Sequence, residues 1–545
     1  MISVRSLFSA WAFAVGFALQ ALAASEIRIV DGGQPRQFEI ETGVVASSDS
    51  TNAPDIFLFE ANKARTAFNR RRMTSDILVE LNAGADPKKV GETVSVESLR
   101  LINAERRWYI FQVKEPALVL SVVEKLRAHA DIASAEPILA KRKVRKFVPS
   151  DPLLPTEWHL NNTGANGALA GVDLHVTNTW AQYRGKGVVI AIIDDGLDTS
   201  HPDLAPHIDP ALGYDWNDGD TDPTAHPAKG DFHGTECAGA AAAVGDNSAG
   251  VAGVAFEATI AGLRLISGDT TDETEAAAML FKNQQIDIKN NSWGPDDDGM
   301  TLEAPGPLTL AALEESVRTG RGGKGTIFVF PGGNGLDTGD NANYDGYANS
   351  IYTIAVGAVS DQGFQTDYSE PGACLVVTVP GGSFGRPSIV TTDLQGPEGV
   401  NRIGEPDDLA DLDYTSGFTG TSASVALTSG AIALMLNANP NLGWRDVQEI
   451  LLRSATKVDP HDPDWDMNSA GLSFNHKFGA GLLNVDNAVA LALIWSNLPP
   501  QTNLSSIQNN LNVAIPDNDP SGVTREFDFR SSSIRLEQVT LTANI

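Results

Sequence analysis

A series of continuous apolar segments, separated by segments with helical spacing, limits the fold of this chain more than any other feature. Three segments are apolar at nearly every position, as is typical of strands buried on both faces, and they lie at 187–193, 257–265 and 327–330. The helix-like segments lie at 237–244, 424–436 and 444–453. This alternation predicts an α/β fold, in which a parallel sheet carries helices on both faces. Functional groups in such sheets gather at the carboxyl ends of the strands.

Acidic residues far outnumber basic ones. The 545 residues contain 39 Lys and Arg against 69 Asp and Glu, a net charge of −30. This balance excludes proteins that bind nucleic acid or anionic membranes through a basic surface. Residues 1–146 hold 21 basic and 17 acidic residues, whereas the remaining 399 hold 18 and 52. The acidic part is either a solvated surface or a trap for cationic ligands, and composition leaves both interpretations open.

The N-terminus has the pattern of an export signal. Arg5 precedes an apolar run over 7–22, and the small residues Ala21 and Ala23 lie at its end. We expect a signal peptide at 1–23 that is cleaved after Ala23, which predicts a secreted protein, extracellular or periplasmic, without stable membrane insertion. An uncleaved anchor is the alternative. No later segment is expected to be apolar enough to span a bilayer.

The region after the signal divides into an irregular stretch and a regular one. Residues 24–75 are polar and irregular, and their basic run at 70–72 is either a solvated loop or a processing site. From 76 to about 140 the pattern predicts a small α+β domain. Its expected strands and helix are 77–81, 108–113 and 117–130. A basic string at 141–146 ends this domain, and a linker follows at 147–152.

Four polar residues with catalytic chemistry lie beside the predicted strands and helices of the larger part. Asp194 ends the first apolar strand, His233 precedes the Ala-rich helix, Asn334 follows a short strand, and Ser422 precedes the long apolar helix. A nucleophilic hydroxyl needs an imidazole as its base and a carboxylate to orient the imidazole. A serine at a helix N-terminus also offers its backbone N–H to an oxyanion, and a side-chain amide can be the second donor. Singly, each residue has a structural explanation as a strand-end carboxylate or a helix cap. Together, the chain order Asp, His, Ser is a known order of catalytic triads.

The motifs around these residues resemble those of subtilisin-like serine proteases, and more narrowly those of the kexin/furin proprotein convertases. The motifs are Asp194-Asp195-Gly196, His233-Gly-Thr-Glu-Cys-Ala-Gly239, Ser292-Trp-Gly-Pro-Asp-Asp-Asp-Gly299, Pro331-Gly-Gly-Asn-Gly335, Asp345-Gly-Tyr-Ala-Asn-Ser-Ile-Tyr352, Gly420-Thr-Ser-Ala-Ser424 and Asn439-Pro-Asn-Leu-Gly-Trp-Arg-Asp446. The resemblance implies that Ser422 attacks the scissile carbonyl, that His233 acts first as base and then as acid, and that Asp194 orients His233. It also implies that Asn334 and the Ser422 backbone N–H hold the oxyanion.

The resemblance further implies a subtilisin-like parallel sheet between two other domains. Residues 24–146 would form a propeptide whose folded part acts as a chaperone and an intramolecular inhibitor. Self-cleavage after Arg142 or Lys146 would release it. The catalytic domain would occupy 147–498. The start of a kexin-type jelly-roll β-sandwich would occupy 499–545, with segments at 513–522, 527–529 and 536–541, of which the last two are strand-like.

Six carboxylates match the positions that receive basic substrate residues in the kexin/furin pattern. Outward from the scissile bond, the pairs are Asp297 with Asp345, Asp195 with Asp231, and Glu275 with Glu303. Two or three partly desolvated carboxylates discriminate a cation better than a diffuse field does. The resemblance therefore favours the cation trap for these residues, and it implies cleavage of proteins or peptides after Lys-Arg or Arg-Arg.

Calcium is the cofactor that the resemblance implies. The two cysteines, Cys237 and Cys374, are too few for a disulfide framework in an exported protein, so another element must brace the loops. Hard oxygen clusters in irregular loops suit Ca²⁺. The resemblance implies three groups of ligands. These are Asp151, Asp203 and Asn247 with the Val244 carbonyl, then Asp297, Asp340 and Glu370, and finally Asp215, Asp220 and Asp222.

Two other functions remain open on the sequence. The first is a broad-specificity degradative subtilisin, which would cleave neutral and basic peptides alike. The second is a non-catalytic binding protein on the protease fold. This hypothesis is less favoured, because all four catalytic positions are intact: Asp194, His233, Asn334 and Ser422.

Overall fold

The computed structural model describes the greater part of the chain. The described residues are 27–31, 34–40, 56–61, 70–141, 147–402 and 409–506, together with 537 and 539. The expected signal peptide at 1–23 and the segment 142–146, which contains Arg142 and Lys146, lie outside the described residues. The hydrophobic core of residues 27–141 is built only from that part of the chain, and separate clusters form the core of the remainder.

The described residues between 27 and 141 form a seven-stranded antiparallel sheet with two α-helices. The strands are β1 (Ile27–Asp31), β2 (Gln34–Ile40), β3 (Phe57–Glu60), β4 (Arg70–Leu81), β5 (Ser98–Asn103), β6 (Trp108–Gln112) and β7 (Ile132–Lys141). The helices are α1 (Pro87–Val94) and α2 (Val119–Arg127). The strand order is β1-β2-β3-β4-β6-β5, and β7 also pairs with β4. Apolar side chains of α2, such as Val123 and Leu126, pack on this sheet.

The strands expected at 77–81 and 108–113 and the helix expected at 117–130 are confirmed, although the helix ends three residues early. The expectation that 24–75 is irregular is wrong for the described part of that range. It contains β1, β2 and β3, and the basic run at 70–72 opens β4 instead of forming a solvated loop. Backbone pairing with distant partners, such as Arg71 with Lys141, holds these polar residues in a sheet.

The larger part of the chain contains a second seven-stranded sheet, and all its strands are parallel. Its strands are β8 (Val189–Asp194), β9 (Tyr214–Asp215), β10 (Thr259–Arg264), β11 (Ile288–Asn291), β12 (Ile327–Pro331), β13 (Thr353–Val359) and β14 (Leu375–Pro380). They lie in the order β14-β13-β12-β11-β8-β10-β9. Two short antiparallel pairs accompany it, β15 (Ile389–Thr392) with β16 (Tyr414–Phe418) and β17 (Asp466–Met467) with β18 (Ser473–Phe474).

In the described parts of 147–506, six α-helices accompany the parallel sheet. They are α3 (His233–Ala242), α4 (Asp272–Leu280), α5 (Pro307–Gly323), α6 (Thr421–Ala438), α7 (Trp444–Ser454) and α8 (Val485–Ala492). Alternate residues of β8 face opposite sides of the sheet. Ile190 and Ile192 pack in the cluster that contains α3 and α6, whereas Ala191 and Ile193 pack in the cluster that contains α4 and α5. The predicted α/β sheet with helices on both faces is therefore confirmed.

Two predicted helices begin earlier than expected, and the extra residues are the ones with catalytic chemistry. Helix α3 begins at His233 instead of residue 237, and α6 begins at Thr421 instead of residue 424. The N-terminus of α3 is stabilised from a distance, because the Asp195 carboxylate accepts the N–H groups of His233 at 3.0 Å and Gly234 at 2.7 Å. A cap supplied by another element cannot be recognised from local spacing.

Helix α6 corrects one expectation about membranes. It is long and apolar enough to cross a bilayer by length and composition, contrary to the view that no segment after the N-terminus is. Its side chains are nevertheless buried in the protein from Thr421 to Leu436, where it packs against the sheet and α3. Such burial is typical of the central helix of a globular core.

Little of the expected jelly-roll segment at 499–545 falls among the described residues. The segment 513–522 and the strand-like segment 527–529 lie outside them. Of the segment 536–541 the structure describes Glu537, whose carboxylate forms an ion pair with Arg445 of α7 at 2.6 Å. The incomplete β-sandwich therefore stays a prediction.

Candidate active site

Asp194 and His233 are joined directly by a hydrogen bond between their side chains. Asp194 is the last residue of β8 and is fully buried, and His233 is the first residue of α3. The His233 Nδ1 atom lies 2.9 Å from Asp194 Oδ1. This contact fixes the ring orientation and leaves Nε2 as the ring nitrogen available to a nucleophile.

The surroundings of His233 favour its protonated form. Burial alone would lower the pKa of His233, but the Asp194 carboxylate and then Cys237 outweigh burial, so the pKa lies well above its usual value. The Cys237 sulfur lies 3.9 Å from His233 Nδ1, and the Phe418 ring meets the imidazole edge to face. The structure thus places a polarised imidazole at the carboxyl end of β8.

Ser422 lies at the N-terminus of α6, next to Ser292 after β11. The Ser422 hydroxyl donates to the Ser292 carbonyl at 3.2 Å, and the Ser292 hydroxyl donates to the Ser422 carbonyl at 3.2 Å. Ser292 is also a hydrogen-bond partner of Cys237, which contacts His233. These contacts bring Ser422 into the neighbourhood of the Asp194–His233 pair. Gly420 enters the helix with φ at +101°, a conformation that glycine adopts without strain.

Asn334 is held against the residue before Ser422. Its Oδ1 atom accepts hydrogen bonds from the Thr421 backbone N–H and hydroxyl, both at 2.9 Å. Since the oxygen end is used in this way, the nitrogen end of the amide is left as a hydrogen-bond donor. The four residues Asp194, His233, Ser422 and Asn334 therefore converge from β8, α3, α6 and the loop after β12.

Asp297 and Asp345, which were expected in the first basic pocket, both line one small cavity. The cavity measures about 10 Å³, enough for one water molecule or ion, and Asp340 and Glu370 line it as well. Burial, with the charges of Asp297 and Glu303, raises the pKa of Asp345 to about 7. Burial, with the charges of Asp297 and Asp340, raises the pKa of Glu370 to about 8. The site is therefore strongly electronegative.

Glu275 and Glu303, expected in the outermost pocket, lie on either side of Tyr347. The Tyr347 hydroxyl donates to Glu275 Oε2 at 2.6 Å. The backbone of Glu303 pairs with the segment that carries Asp345, since Gly346 N–H donates to the Glu303 carbonyl at 2.7 Å. Both carboxylates therefore continue the acidic surface that begins at Asp345.

Asp195 and Asp231 were expected in the second pocket, but both carboxylates bind donor groups of the protein itself. The Asp195 carboxylate accepts the N–H groups at the start of α3, as described above, and burial with the Asp194 charge raises its pKa to about 7. Asp231 Oδ2 forms an ion pair with Arg264 at 2.8 Å, and Oδ1 accepts the Ser267 hydroxyl at 2.7 Å. Arg264 is fully buried and was missed by the sequence analysis, although a lone arginine within an apolar strand could have signalled it.

Asn247 forms hydrogen bonds with two other residues of the first predicted calcium group. Its backbone N–H donates to Asp151 at 3.1 Å, and its side-chain amide donates to Asp203 at 2.6 Å. The backbone N–H of Val244 donates to the Asp203 carbonyl. Glu157, which sequence reasoning missed, is buried beside them, and burial with the charges of Asp151 and Asp203 raises the pKa of Glu157 well above its usual value.

The second calcium group is the most compact. The carboxylate oxygens of Asp297, Asp340 and Glu370 lie within 4.8 Å of one another. Among the described residues, no Lys or Arg forms an ion pair with these three carboxylates. Gly333 has φ at +100°, and a side chain there would lie 2.2 Å from Glu370 Oε1, so glycine permits this close approach.

The third calcium group is not assembled in the same way. Asp215 forms an ion pair with Arg264 at 2.7 Å, so a guanidinium already lies beside this carboxylate. Asp220 and Asp222 are used in local turns, where they accept N–H groups two residues further along the chain. The geometry at Asp215, Asp220 and Asp222 therefore does not favour a metal.

The comparisons with known proteins agree with this arrangement of residues. The model of the subtilase family matches residues 185–481, more than half of the chain. Proprotein convertase subtilisin/kexin type 7 of Mus musculus is 41% identical over 437 residues, which cover 78% of this chain and 54% of the mouse protein. Furin-like protease 1, isoform 1-CRR, of Drosophila melanogaster is 38% identical over 400 residues, which cover 72% of this chain and 34% of the fly protein.

A solved structure shows the same fold. The serine protease of Aeromonas sobria superposes with a TM-score of 0.60 at 28% identity, over 65% of this chain and 70% of that one. The chain spans about half the length of the first curated relatives that it matches. On the matched region and the fold, the chain belongs to the subtilase family and, within it, to the kexin/furin-type proteases.

Proposed function

We propose that this chain is a serine endopeptidase of the Asp-His-Ser subtilisin type. The observation that carries the proposal is the Asp194–His233 hydrogen bond beside Ser422, with Asn334 fastened to the residue before the nucleophile. Ser422 attacks the scissile carbonyl and transfers its proton to His233, which then donates a proton to the leaving amine. Asn334 and the Ser422 backbone N–H stabilise the oxyanion, each donor contributing on the order of 3 kcal/mol.

The proposed substrates are protein precursors with basic residues before the scissile bond. The negative charges of Asp297, whose carboxylate accepts the Asn334 N–H at 2.9 Å, and of neighbouring Asp345 support a preference for Lys or Arg at the residue whose carbonyl is attacked. The named relatives are proprotein convertases and endoproteases, which supports precursor processing. Preference for a basic pair depends on Asp195 and Asp231, whose carboxylates already have internal partners. We therefore expect weaker selection at the second residue than at the first.

Calcium is the proposed cofactor, with Asp297, Asp340 and Glu370 as its ligands beside the first pocket. Three carboxylates without a basic partner among the described residues, around a cavity of about 10 Å³, fit a hard cation. Asp151, Asp203, Asn247 and the Val244 carbonyl are proposed as a second site, where Glu157 adds another buried carboxylate. Bound calcium would neutralise these carboxylates and stabilise the loops that carry them.

Export and self-processing complete the proposal. The N-terminal apolar run supports secretion, and the basic string supports cleavage after Arg142 or Lys146. The folded unit at 27–141, which ends in β7 just before that string, supports its role as an intramolecular inhibitor. Released protease would then act on precursors that present similar basic sites.

A peptide panel tests the proposed specificity. The residue before the scissile bond is Arg, Lys, Leu or Ala, and kcat/KM is measured for the wild type and for Asp345→Asn, Asp297→Asn and Ser422→Ala. We expect a basic preference in the wild type, a reduced preference in both Asp variants, and no hydrolysis by Ser422→Ala. Asp337→Asn is the matched control, because Asp337 is an exposed aspartate on the same loop. Equal cleavage of basic and neutral peptides by the wild type would favour a broad degradative protease instead.

A further inference from the structure

A cleft of about 400 Å³ opens beside His233, and it shares no lining residue with the acidic cavity described above. His233, Phe418, Val400 and Glu236 line it, and Arg402 lies on its wall. Neither Ser422, Asn334 nor Asp297 contributes to this cleft. Its volume is that of a pocket able to receive a large side chain.

Glu236 is a buried carboxylate that the catalytic mechanism does not use. It lies on α3 three residues after His233, and 3% of its surface is exposed. Within the described part of the chain, its carboxylate forms no hydrogen bond or ion pair, although it lines the cleft. A buried carboxylate without a partner is costly, and a cation that enters the cleft would offset that cost.

The groups around Glu236 make the cleft electronegative. Asp194, Asp195 and Asp393 are the charged neighbours that act on Glu236 together with His233. The Asp393 carboxylate is saturated by backbone N–H groups, including those of Val400 and Asn401 at 2.8 Å. Asp195 accepts N–H groups at the start of α3, and Asp194 is bonded to His233 through Oδ1. Glu236 is therefore the carboxylate in this group with no hydrogen-bond partner on either oxygen among the described residues. Burial raises the pKa of Glu236 to about 8, although the positive charge of His233 opposes this shift.

The position of the cleft identifies the part of the substrate that reaches it. Asp297 and Asp345 receive the residue before the scissile bond, whereas His233 donates its proton to the amine of the residue after it. A cleft that contains His233 but none of the oxyanion or acidic-cavity residues therefore lies along the leaving-group side. Substrate residues that follow the scissile bond pass next to it.

We propose that this cleft binds a Lys or Arg side chain from one of the first three residues after the scissile bond, with Glu236 as the specificity-determining carboxylate. The aliphatic stem would pack on Phe418 and Val400, while the cationic end reaches Glu236. Arg402, which is exposed, would compete for the same carboxylate. The inference rests on the proposed endopeptidase function and extends its selectivity to the other side of the bond.

The test uses the full chain and peptides that share one basic sequence before the scissile bond. Arg or Ala is placed in turn at the first, second and third position after the bond, and kcat/KM is compared within each pair. The wild type is expected to prefer Arg by about tenfold at one position, as a hydrogen bond to a charged group would give. Glu236→Gln should reduce that ratio to about one, and Arg402→Gln should increase it. Glu314→Gln, an exposed glutamate on α5, should keep the wild-type ratio.

The outcomes separate this inference from the function on which it rests. If wild-type ratios are about one at all three positions while Ser422-dependent cleavage continues, the cleft assignment is wrong and the protease stands. The same conclusion follows if Glu236→Gln retains the preference. If no peptide is cleaved and no serine-reactive probe labels Ser422, the endopeptidase proposal itself fails. Melting temperatures of both Glu variants verify that they are folded.

Discussion

The Asn334 side chain is hydrogen-bonded to Thr421, the residue immediately before the proposed nucleophile Ser422. Two hydrogen bonds of 2.9 Å, from the Thr421 N–H and hydroxyl, end on Asn334 Oδ1. They tie the loop after β12 to the N-terminus of α6. The two oxyanion donors, one on each of these elements, are therefore positioned relative to each other before any substrate binds.

Replacing Asn334 should affect the transition state more than substrate binding. For Asn334→Ala we expect kcat to fall by about 10²- to 10³-fold with KM little changed. Thr421→Val keeps the backbone hydrogen bond and loses the hydroxyl bond, so kcat should fall by about tenfold or less. Steady-state kinetics on one basic peptide measures both variants. A large rise in KM at constant kcat would contradict the oxyanion role.

The acid side of the pH profile should report His233. The neutral form of His233 is the base, so kcat/KM should rise with pH as His233 loses its proton. Because Asp194 holds the pKa of His233 well above the usual value despite burial, the midpoint of this rise should lie above about 6.5. Asp194→Asn removes the stabilising charge, which should lower this midpoint and reduce kcat by about 10⁴-fold. A wild-type midpoint below the value for free imidazole would refute this description of the pair.

Arg264 should matter more for stability than any exposed arginine. It is fully buried between Asp215 and Asp231, and Arg264→Met would leave both carboxylates without their partner. We expect a loss of about 3–5 kcal/mol in the free energy of unfolding, measured with urea. Arg318→Met is the control, since 66% of the Arg318 side chain is exposed and its ion pair with Glu315 should be worth less than about 1 kcal/mol. Equal losses in the two variants would show that the buried network contributes little.

Calcium removal should lower the melting temperature. A ligand at about a hundred times its dissociation constant adds about 2.7 kcal/mol of stability, which chelation would remove and added Ca²⁺ would restore. Mg²⁺ should restore less, because it demands a tighter and more regular shell of oxygens. Asp340→Asn should weaken the response, while the exposed Asp337→Asn should retain it. An identical melting curve with and without chelator would exclude a structural calcium.

The parallel sheet could be predicted because each of its main strands is recognisable from its own residues. Strands such as β8 and β12 are apolar at almost every position. Asp194, the last residue of β8, and Asn334, in the loop after β12, mark the edge of the sheet where the site forms. The alternation of strands and helices then leaves few other architectures.

The features that the sequence analysis missed depend on distant partners. Strand β2 reads Gln-Pro-Arg-Gln-Phe-Glu-Ile and becomes a strand through its pairing with β1 and β3. The pairing of Asp231 with Arg264 joins residues 33 apart in sequence, so it could not be predicted, and the resemblance assigned Asp231 only to substrate. The position of Glu236 in the wall of the cleft could not be predicted, because the other residues of that wall, such as Val400 and Phe418, are distant in sequence.

The most direct test of the central claim is the N-terminus of the protein after expression of the full chain. Wild type and Ser422→Ala are purified in parallel, and their N-termini are determined by mass spectrometry. The account predicts a new terminus at Lys143 or Phe147 in the wild type alone, from self-cleavage after Arg142 or Lys146. The same terminus in both proteins, or no cleavage in either, would contradict a self-processing serine endopeptidase that selects basic residues.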